Sequence, residues 1–212
     1  MTHQHAERPE DHFTREFWDE RYSGGLVWSG NPNPHLVTHA SRLPPGTALD
    51  FGSGEGADAI WLAQQGWQVT AVDISPVALA GLSARAEGLG LAVTCEQADA
   101  FAWSAGPAYD LVSAQFMHLP RPALTRLHRQ LATSVAPGGT LLLVGHHPDD
   151  VGHAPEGTSF EEIRFTGEEV ASTLDPSEWT TIEPLRPERE WIDRDGRPAV
   201  AVDAVLRAVR VD

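Results

Sequence analysis

A predicted strand, a glycine turn and a predicted helix follow one another directly. Together they constrain the fold more than any other feature of the sequence. The apolar run Thr47–Phe51 is followed by Gly52-Ser53-Gly54-Glu55-Gly56, and a helical pattern begins at Ala57. The next apolar run ends at Asp73. In parallel α/β sheets, ligands bind beyond the carboxyl ends of the strands. The spacing therefore predicts a ligand site that contains the glycine turn and Asp73.

Three further apolar runs continue the alternation of strands and helices. They predict strands at residues 92–97, 109–116 and 140–144. A helix is predicted between the strand that ends at Asp73 and the strand at 92–97. Ser75-Pro76 marks its start, because serine caps free N–H groups and proline suits the first helical position, and it runs to about Glu87. This order of elements favours parallel strands joined by right-handed crossovers.

The last part of the chain has a different pattern. Thr166 and Glu169 are spaced as a capping box that starts a short helix. Two apolar runs, 179–189 and 200–211, then predict a hairpin joined through residues 195–198. The whole pattern predicts an α/β fold with a Rossmann-like, doubly wound, mostly parallel seven-stranded sheet and a C-terminal antiparallel hairpin.

The first 46 residues precede the strand pattern and carry a helical pattern of their own. Phe17 and Trp18 share one face of a short helix, and Gly24-Gly25 ends it. The length of 212 residues fits one α/β domain better than two. We therefore expect residues 1–46 to form an N-terminal helical leader, or lid, of the same domain as residues 47–212.

The charge balance excludes several kinds of partner. The chain has 15 lysines and arginines against 30 aspartates and glutamates, and its formal net charge is -15. Such a field repels nucleic acids and anionic lipid surfaces. No run approaches the roughly 20 apolar residues of a membrane span. We expect a cytoplasmic protein with a small-molecule partner, with no nucleic acid and no membrane; the sequence does not indicate the oligomeric state.

The charge of the glycine turn distinguishes two nucleoside cofactors. A dinucleotide fingerprint reads G-x-G-x-x-G, whereas this chain has glycines at 52, 54 and 56. Asp50 and Glu55 flank the turn, which disfavours a pyrophosphate and suits a cofactor with a sulfonium and an ammonium group. The pattern therefore predicts S-adenosylmethionine. An NAD-dependent oxidoreductase is the weaker alternative, and a noncatalytic sensor or interaction module that binds S-adenosylmethionine is another.

The strand ends assign separate parts of that cofactor. Asp73 is expected to accept hydrogen bonds from the ribose hydroxyls, with Ile74 packed on the adenine. Asp99 is expected to accept from the adenine amino group, with Ala100 and Phe101 supplying a backbone N–H and a cover for the ring. The predicted cofactor contacts from this reasoning are Asp50, Gly52, Ser53, Gly54, Gly56, Asp73, Ile74, Asp99, Ala100, Phe101 and Gln115.

These motifs resemble those of class I S-adenosylmethionine-dependent methyltransferases. The resemblance is carried by residues 48–75, 109–115 and 137–144 and implies a class I methyltransferase domain at 47–212. Phe17-Trp18-Asp19-Glu20-Arg21-Tyr22, Trp28 and the helix residues 59–63 are similar to the branch with tellurite-resistance and thiopurine S-methyltransferases. The resemblance implies methyl transfer to a small molecule, with Trp18 and Tyr22 covering the methionine end of the cofactor.

Histidines after two strands are candidate catalytic groups. Methyl transfer needs the acceptor atom, methyl carbon and sulfur on one line, and a hydroxyl or amine acceptor also benefits from a base. His118 follows the strand at 109–116, where it is either acceptor-facing or a cap for the next helix. His146 and His147 follow the strand at 140–144, and one of them should face the site because strand residues alternate.

A metal site is an alternative for the second group of histidines. His146, His147 and His153 lie close in sequence to Asp149 and Asp150, and imidazole and carboxylate are good zinc or iron ligands. The spacing matches no zinc motif, however. We therefore predict no metal.

Overall fold

Alternating strands and helices form one mixed sheet with helices on both faces. The computed structural model describes residues 13–150, 163–192 and 198–212. The helices are α1 Arg15–Ser23, α2 Pro34–Ala40, α3 Ala57–Gln64, α4 Pro76–Gly88, α5 Arg121–Thr133 and α6 Gly167–Ala171. The strands are β1 Thr47–Phe51, β2 Gln68–Asp73, β3 Val93–Gln97, β4 Tyr109–Gln115, β5 Val135–His146, β6 Trp179–Leu185, β7 Glu188–Ile192 and β8 Pro198–Arg210.

The sheet is parallel in its first half and antiparallel at its C-terminal end. Its strand order is β3-β2-β1-β4-β5-β8-β6, and β7 also pairs with β8. The first five strands pair in parallel, whereas β8 runs antiparallel to β5, β6 and β7. The strand order reverses between β1 and β4, and this reversal opens a crevice at their carboxyl ends. The predicted doubly wound fold class is confirmed.

Local capping explains where several helices begin. Ser75 accepts a hydrogen bond from the backbone N–H of Ala78 at 3.2 Å, and Pro76 occupies the first position of α4. Thr166 and Glu169 form the predicted capping box of α6. Ser75 comes two residues after the end of β2, so its cap also determines where the chain turns from that strand into α4.

Two apolar layers cover the two faces of the sheet. Leu49, Val112 and Leu143 face one layer, which contains the buried side of α5, whereas their neighbours in the strands face the layer formed by α2, α3 and α4. Leu36 on α2 is fully buried in that second layer. The leader is therefore packed into the core at α2.

The sheet differs from the prediction in its strand count. The structure has eight strands because the run predicted at 179–189 is divided into β6 and β7. Pro187 lies in the break, and proline cannot donate a ladder hydrogen bond; its carbonyl accepts from the N–H of Asp203 at 3.0 Å instead. The predicted turn residues 195–197 lie outside the described residues. In the described part of the chain, no helix combines the length and apolar character needed to cross a membrane.

Candidate functional site

The glycine turn leaves bare backbone at the carboxyl end of β1. Gly52, Gly54 and Gly56 have positive φ angles of 76°, 50° and 78°, a region that residues with a Cβ rarely adopt. A Cβ on Gly54 would lie 2.9 Å from the Tyr22 hydroxyl oxygen, and one on Gly56 would clash with Leu82. The turn therefore requires glycine for its conformation and for the close approach of its neighbours.

Asp73 supports the turn from the neighbouring strand. Its carboxylate accepts the backbone N–H of Gly54 at 2.8 Å and that of Ser75 at 2.9 Å. Burial raises the pKa of Asp73, and these backbone hydrogen bonds oppose that rise. Asp73 thus joins β1 to β2 and still lines the crevice beside the turn.

One cavity of about 750 Å³ runs along the crevice. Most of the residues predicted to contact a cofactor, and both candidate catalytic histidines, line it. These residues are Trp18, Tyr22, Gly52, Ser53, Gly54, Gly56, Asp73, Ile74, Asp99, Ala100, Phe101, Gln115, His118 and His146. The predicted cofactor contacts and the two histidines therefore share one cavity.

Asp50 is the exception among the predicted contacts. Its side chain is buried beneath the turn, outside the cavity lining, and Oδ2 has no hydrogen-bond partner among the described residues. Burial, followed by the charges of Asp58 and Asp73, raises the pKa of Asp50 well above its usual value. Asp50 lies inside because helices cover both faces of the sheet, so that four of the five β1 residues, Asp50 included, are buried.

Glu55 lines the cavity beside the turn, as predicted, and it also has a second role. Its carboxylate accepts the backbone N–H groups of Val27 and Trp28, each at 3.1 Å. The sequence indicated a negative lining at this point, and the structure shows that the charge also fastens the leader. Glu55 consequently connects the glycine turn to the loop above it.

Aromatic residues of the leader cover the same end of the cavity. Trp18 stacks on Tyr22 with ring centroids 5.8 Å apart. Trp28 donates a hydrogen bond from Nε1 to the Tyr22 hydroxyl at 3.2 Å. Burial raises the pKa of Tyr22 to about 12, so the phenol is neutral. Asp19 attaches the leader to the main unit, because its carboxylate accepts a hydrogen bond from the Ser75 hydroxyl at 2.6 Å.

At the other side of the turn, Asp99 and Phe101 close the crevice. The Asp99 carboxylate accepts the backbone N–H of Phe101 at 2.8 Å. Of the two backbone N–H groups predicted near the adenine, that of Phe101 thus already has an acceptor within the protein, and the donation by Ala100 stays a prediction. Its ring is about 40% exposed at the cavity wall, which agrees with a covering role for the side chain.

His118 lies on the side of the cavity beyond the strand reversal. Its ring stacks between Trp18 and His146, at centroid distances of 6.4 and 5.8 Å. Burial lowers its pKa to about 4, with the nearby charges of His146 and Arg21 contributing, and Nε2 has no partner in the described chain. It does not cap α5, because the N-cap of that helix is Pro120.

His146 faces the cavity, whereas His147 does not. Nδ1 of His146 lies 3.0 Å from Oδ2 of the buried Asp150, an arrangement that orients the ring. His147 is buried and accepts the backbone N–H of Asp149 at Nδ1. Among the described residues, no three histidine, cysteine or acidic side chains form a metal-binding group; His153 lies outside them.

Four cavity residues have no strong signal in the sequence. Asp58, the second residue of α3, accepts the backbone N–H of Asn33 at 2.6 Å, and burial raises its pKa to about 6. Phe116, just after β4, has a positive φ of 50°. Arg189 and Asp203 come from β7 and β8. Only Asp58, two residues after the last turn glycine, could have been noticed from its spacing.

The fold and the cavity together define an α/β protein with a nucleoside-cofactor crevice at the strand reversal. Comparison with protein families narrows this class. Residues 48–139 match the model of a methyltransferase domain. This segment contains β1 to β4, the glycine turn and the start of β5.

Curated relatives match a similar portion of the chain. A ribosomal RNA small subunit methyltransferase C of Alcanivorax borkumensis is 33% identical over 106 residues, covering 48% of this chain and 33% of the relative. A ribosomal protein L11 methyltransferase of Rhizobium leguminosarum is 34% identical, and the match covers 48% of this chain and 36% of the relative. A ubiquinone biosynthesis O-methyltransferase of Serratia proteamaculans is 33% identical, covering 50% and 44%. The match thus spans less than half of each relative.

Solved structures resemble nearly the whole chain. One is reported as "Conversion of a Disulfide Bond into a Thioacetal Group during Echinomycin Biosynthesis", with a TM-score of 0.71, 21% identity and coverage of 93% of this chain and 91% of the other. TehB from Haemophilus influenzae has a TM-score of 0.68 and 21% identity, with coverage of 93% and 67%. ChlM from Synechocystis with bound S-adenosylmethionine has a TM-score of 0.58 and 19% identity, and the match covers 95% of this chain and 94% of the other.

Residues 48–139 therefore match a methyltransferase domain, and this match supports the class I, S-adenosylmethionine-dependent family predicted from the sequence. The predicted fold class is confirmed, and the match agrees with the predicted family, enzyme class and cofactor. The relatives' names cover acceptors as different as ribosomal RNA, a ribosomal protein and a ubiquinone precursor. They do not select one of these for this chain.

Proposed function

We propose that the whole protein transfers a methyl group from S-adenosylmethionine to a small-molecule acceptor. The observation that carries this proposal is a single cavity that joins the glycine turn to a separate group of histidines. A cofactor held at the turn and an acceptor held near the histidines would share one enclosed space. Such positioning supplies much of the rate of a displacement reaction.

The residues at the turn fit the cofactor. Bare backbone at three glycines permits close approach, Asp73 offers carboxylate oxygens at the crevice, and Asp99 with Phe101 forms the wall at the far side. Acidic residues line this region, in keeping with a ligand that carries a sulfonium and an ammonium group. When bound, the cofactor supplies the electrophilic methyl carbon; the protein supplies alignment and cover.

The leader supports a small acceptor. It is fastened over the cavity by Glu55, Asp58 and Ser75, each through a hydrogen bond of 2.6 to 3.1 Å. A polymer such as RNA would have to displace these contacts and approach a protein of formal charge -15. In this proposal residues 1–46 act as a lid on the main unit at 47–212. A cytoplasmic location stays a prediction.

For an acceptor that must lose a proton, His146 is the better-placed base. Asp150 orients its ring, and its position at the end of β5 puts it at the cavity wall. His118 is a weaker base at neutral pH because burial lowers its pKa to about 4. In this proposal His118 packs against Trp18 and His146 and shapes the acceptor side of the cavity.

Binding and transfer are tested separately. In thermal unfolding, S-adenosylmethionine at about 100 times its dissociation constant should stabilise the protein by roughly 2.7 kcal/mol, and NAD should not. Labelled cofactor is then supplied with pools of thiols, phenols, amines and metalloid oxyanions. Label in one pool supports the proposal. Stabilisation by S-adenosylmethionine without transfer to any pool would favour a sensor, and stabilisation by NAD alone would reverse the choice of cofactor.

A further inference from the structure

The acceptor side of the cavity contains a polar group that the cofactor site does not use. Asp203 on β8 accepts hydrogen bonds at Oδ2 from His35 Nε2, at 2.9 Å, and from Arg189 Nε, at 2.8 Å. Asp203 and Arg189 line the cavity with His146. The helix α2 and the consecutive strands β7 and β8, which are distant from α2 in sequence, therefore meet at one carboxylate.

Asp203 has an unused acceptor atom. Its residue is fully buried, and Oδ1 has no hydrogen-bond partner within the described part of the chain. Burial opposes ionisation, but the hydrogen bonds from His35 and Arg189 outweigh it and lower the pKa of the carboxyl group. An ionised, buried oxygen without a donor is costly, so a ligand that donates a hydrogen bond there would be favoured.

The charges that face the cavity are mostly negative. Five acidic residues line it, against a single arginine within the described chain; they are Glu55, Asp58, Asp73, Asp99 and Asp203. The arginine, Arg189, is already paired with Asp203, and its guanidinium lies 6.0 Å from the centroid of the Phe116 ring. Because Arg189 already interacts with Asp203 and with the Phe116 ring, it offers little attraction for an anion.

A second buried acceptor lies on β4, which is separated from β8 by β5. Gln115, the last residue of β4, donates from Nε2 to the Ser113 hydroxyl at 2.6 Å, and its Oε1 has no partner among the residues that the structure describes. Gln115 also lines the cavity. Carbonyl and carboxylate oxygens, both of which accept hydrogen bonds, therefore predominate where the acceptor would lie.

We propose that Asp203 forms a specificity subsite for methyl acceptors that carry an uncharged or positively charged hydrogen-bond donor, a hydroxyl or an ammonium group, and that this subsite rejects anionic acceptors. The inference rests on the proposed methyl transfer. Electrostatic repulsion in a partly dry cavity is stronger than in water. An anionic acceptor would therefore meet an unfavourable field and leave Oδ1 of Asp203 without a donor.

Matched acceptors test this selectivity. One set keeps a phenol and varies the tail: tyramine, tyrosol and 4-hydroxyphenylacetate. A second keeps a thiol: cysteamine, 2-mercaptoethanol and 3-mercaptopropionate. In at least one set, kcat/KM for the ammonium and hydroxyl members should exceed that for the carboxylate member by about tenfold or more. A carboxylate member that is equal or better in a reactive set overturns the inference, and so does the absence of transfer to all six from a protein that binds S-adenosylmethionine.

Two variants connect the selectivity to Asp203. Asp203→Asn removes the negative charge and releases the Arg189 guanidinium, so the preference for the ammonium over the carboxylate member should fall about tenfold while the cofactor dissociation constant stays within about twofold. Arg189→Gln leaves Asp203 charged and should increase the preference. If Asp203→Asn fails to fold, the second variant still decides: a preference for the ammonium member that is unchanged or smaller in Arg189→Gln would overturn the proposal.

Failure of the inference differs from failure of the proposed function. A protein that methylates only the carboxylate members has the proposed activity but not this subsite. A protein that is not stabilised by S-adenosylmethionine lacks the proposed activity itself.

Discussion

The side chain of Asp73 both supports the glycine turn and lies at the cavity wall. Its two oxygens accept backbone N–H groups on either side of the crevice, those of Gly54 and Ser75. The same carboxylate lies at the cavity wall, where the sequence placed the ribose of a nucleoside. A substitution there should consequently affect both the shape of the turn and the affinity for a cofactor.

Asp73→Ala should weaken S-adenosylmethionine binding by about 1.5–3 kcal/mol, because charge-assisted hydrogen bonds to the ligand are lost. Isothermal titration calorimetry measures this change. Asp73→Asn keeps an acceptor oxygen for Gly54 and separates the ligand effect from disruption of the turn. Unchanged affinity in the alanine variant would mean that the ribose lies elsewhere.

The two cavity histidines should differ in their effect on turnover. For an acceptor that must lose a proton, His146→Ala should lower kcat by about 10²-fold or more, because general-base assistance is lost. His118→Ala should lower kcat less, since a histidine with a pKa of about 4 is a weak base at pH 7. Both variants should bind the cofactor nearly normally. A larger loss for His118→Ala would exchange the two assignments.

At the scale of elements, the leader is attached to the crevice by side chains of the main unit. Glu55 bonds the loop at Val27 and Trp28, and Asp58 bonds the N-cap residue of α2, Asn33. Both acids lie within or just after the glycine turn. Movement of this turn and movement of the leader should therefore be linked.

Glu55→Ala should loosen the loop, because two backbone N–H groups lose their carboxylate acceptor. We expect faster hydrogen exchange in peptides covering residues 26–33 and cofactor affinity lower by about tenfold, which corresponds to a loss of about 1.4 kcal/mol. Glu87→Ala, an exposed position on α4, is the matched control. Normal exchange and affinity in the Glu55 variant would argue against a lid held by this residue.

For the whole molecule, the buried acids under and beside the turn should make stability depend on pH. Burial raises the pKa of Asp50, Asp58 and Asp73, and that of Asp58 reaches about 6. The folded state then binds more protons than the unfolded state above the ordinary aspartate pKa of about 3.8. This contribution to stability is complete below that pKa and is lost as pH rises through about 6.

Asp58→Asn should reduce this pH dependence in the protein without ligand. The amide oxygen can still accept from Asn33, but the cost of a buried charge disappears, so the free energy of unfolding at pH 7.5 should rise by roughly 1–2 kcal/mol. Denaturant unfolding from pH 4 to 7.5 measures the change, with Glu87→Gln as the exposed control. A variant that follows the original pH curve would show that Asp58 does not carry the raised pKa.

The sequence was sufficient to predict the strands, the glycine turn and the caps that surround the crevice. These features depend on local rules: alternation of apolar residues, glycine at positive φ, and serine or threonine before a helix. The division of β6 from β7 at Pro187 was not predicted, because the sequence indicated one strand over residues 179–189 and the pairing with β8 decides where each strand ends.

Only the tertiary structure determined the burial of Asp50, the fastening of the leader by Glu55, and the meeting of His35, Arg189 and Asp203. The last three residues are separated by more than 150 positions in the chain between α2 and β8. Their proximity follows from the antiparallel insertion of β8 beside β5, a long-range pairing to which no local pattern corresponds. Local chemistry thus determined the cofactor half of the cavity, and strand order determined the acceptor half.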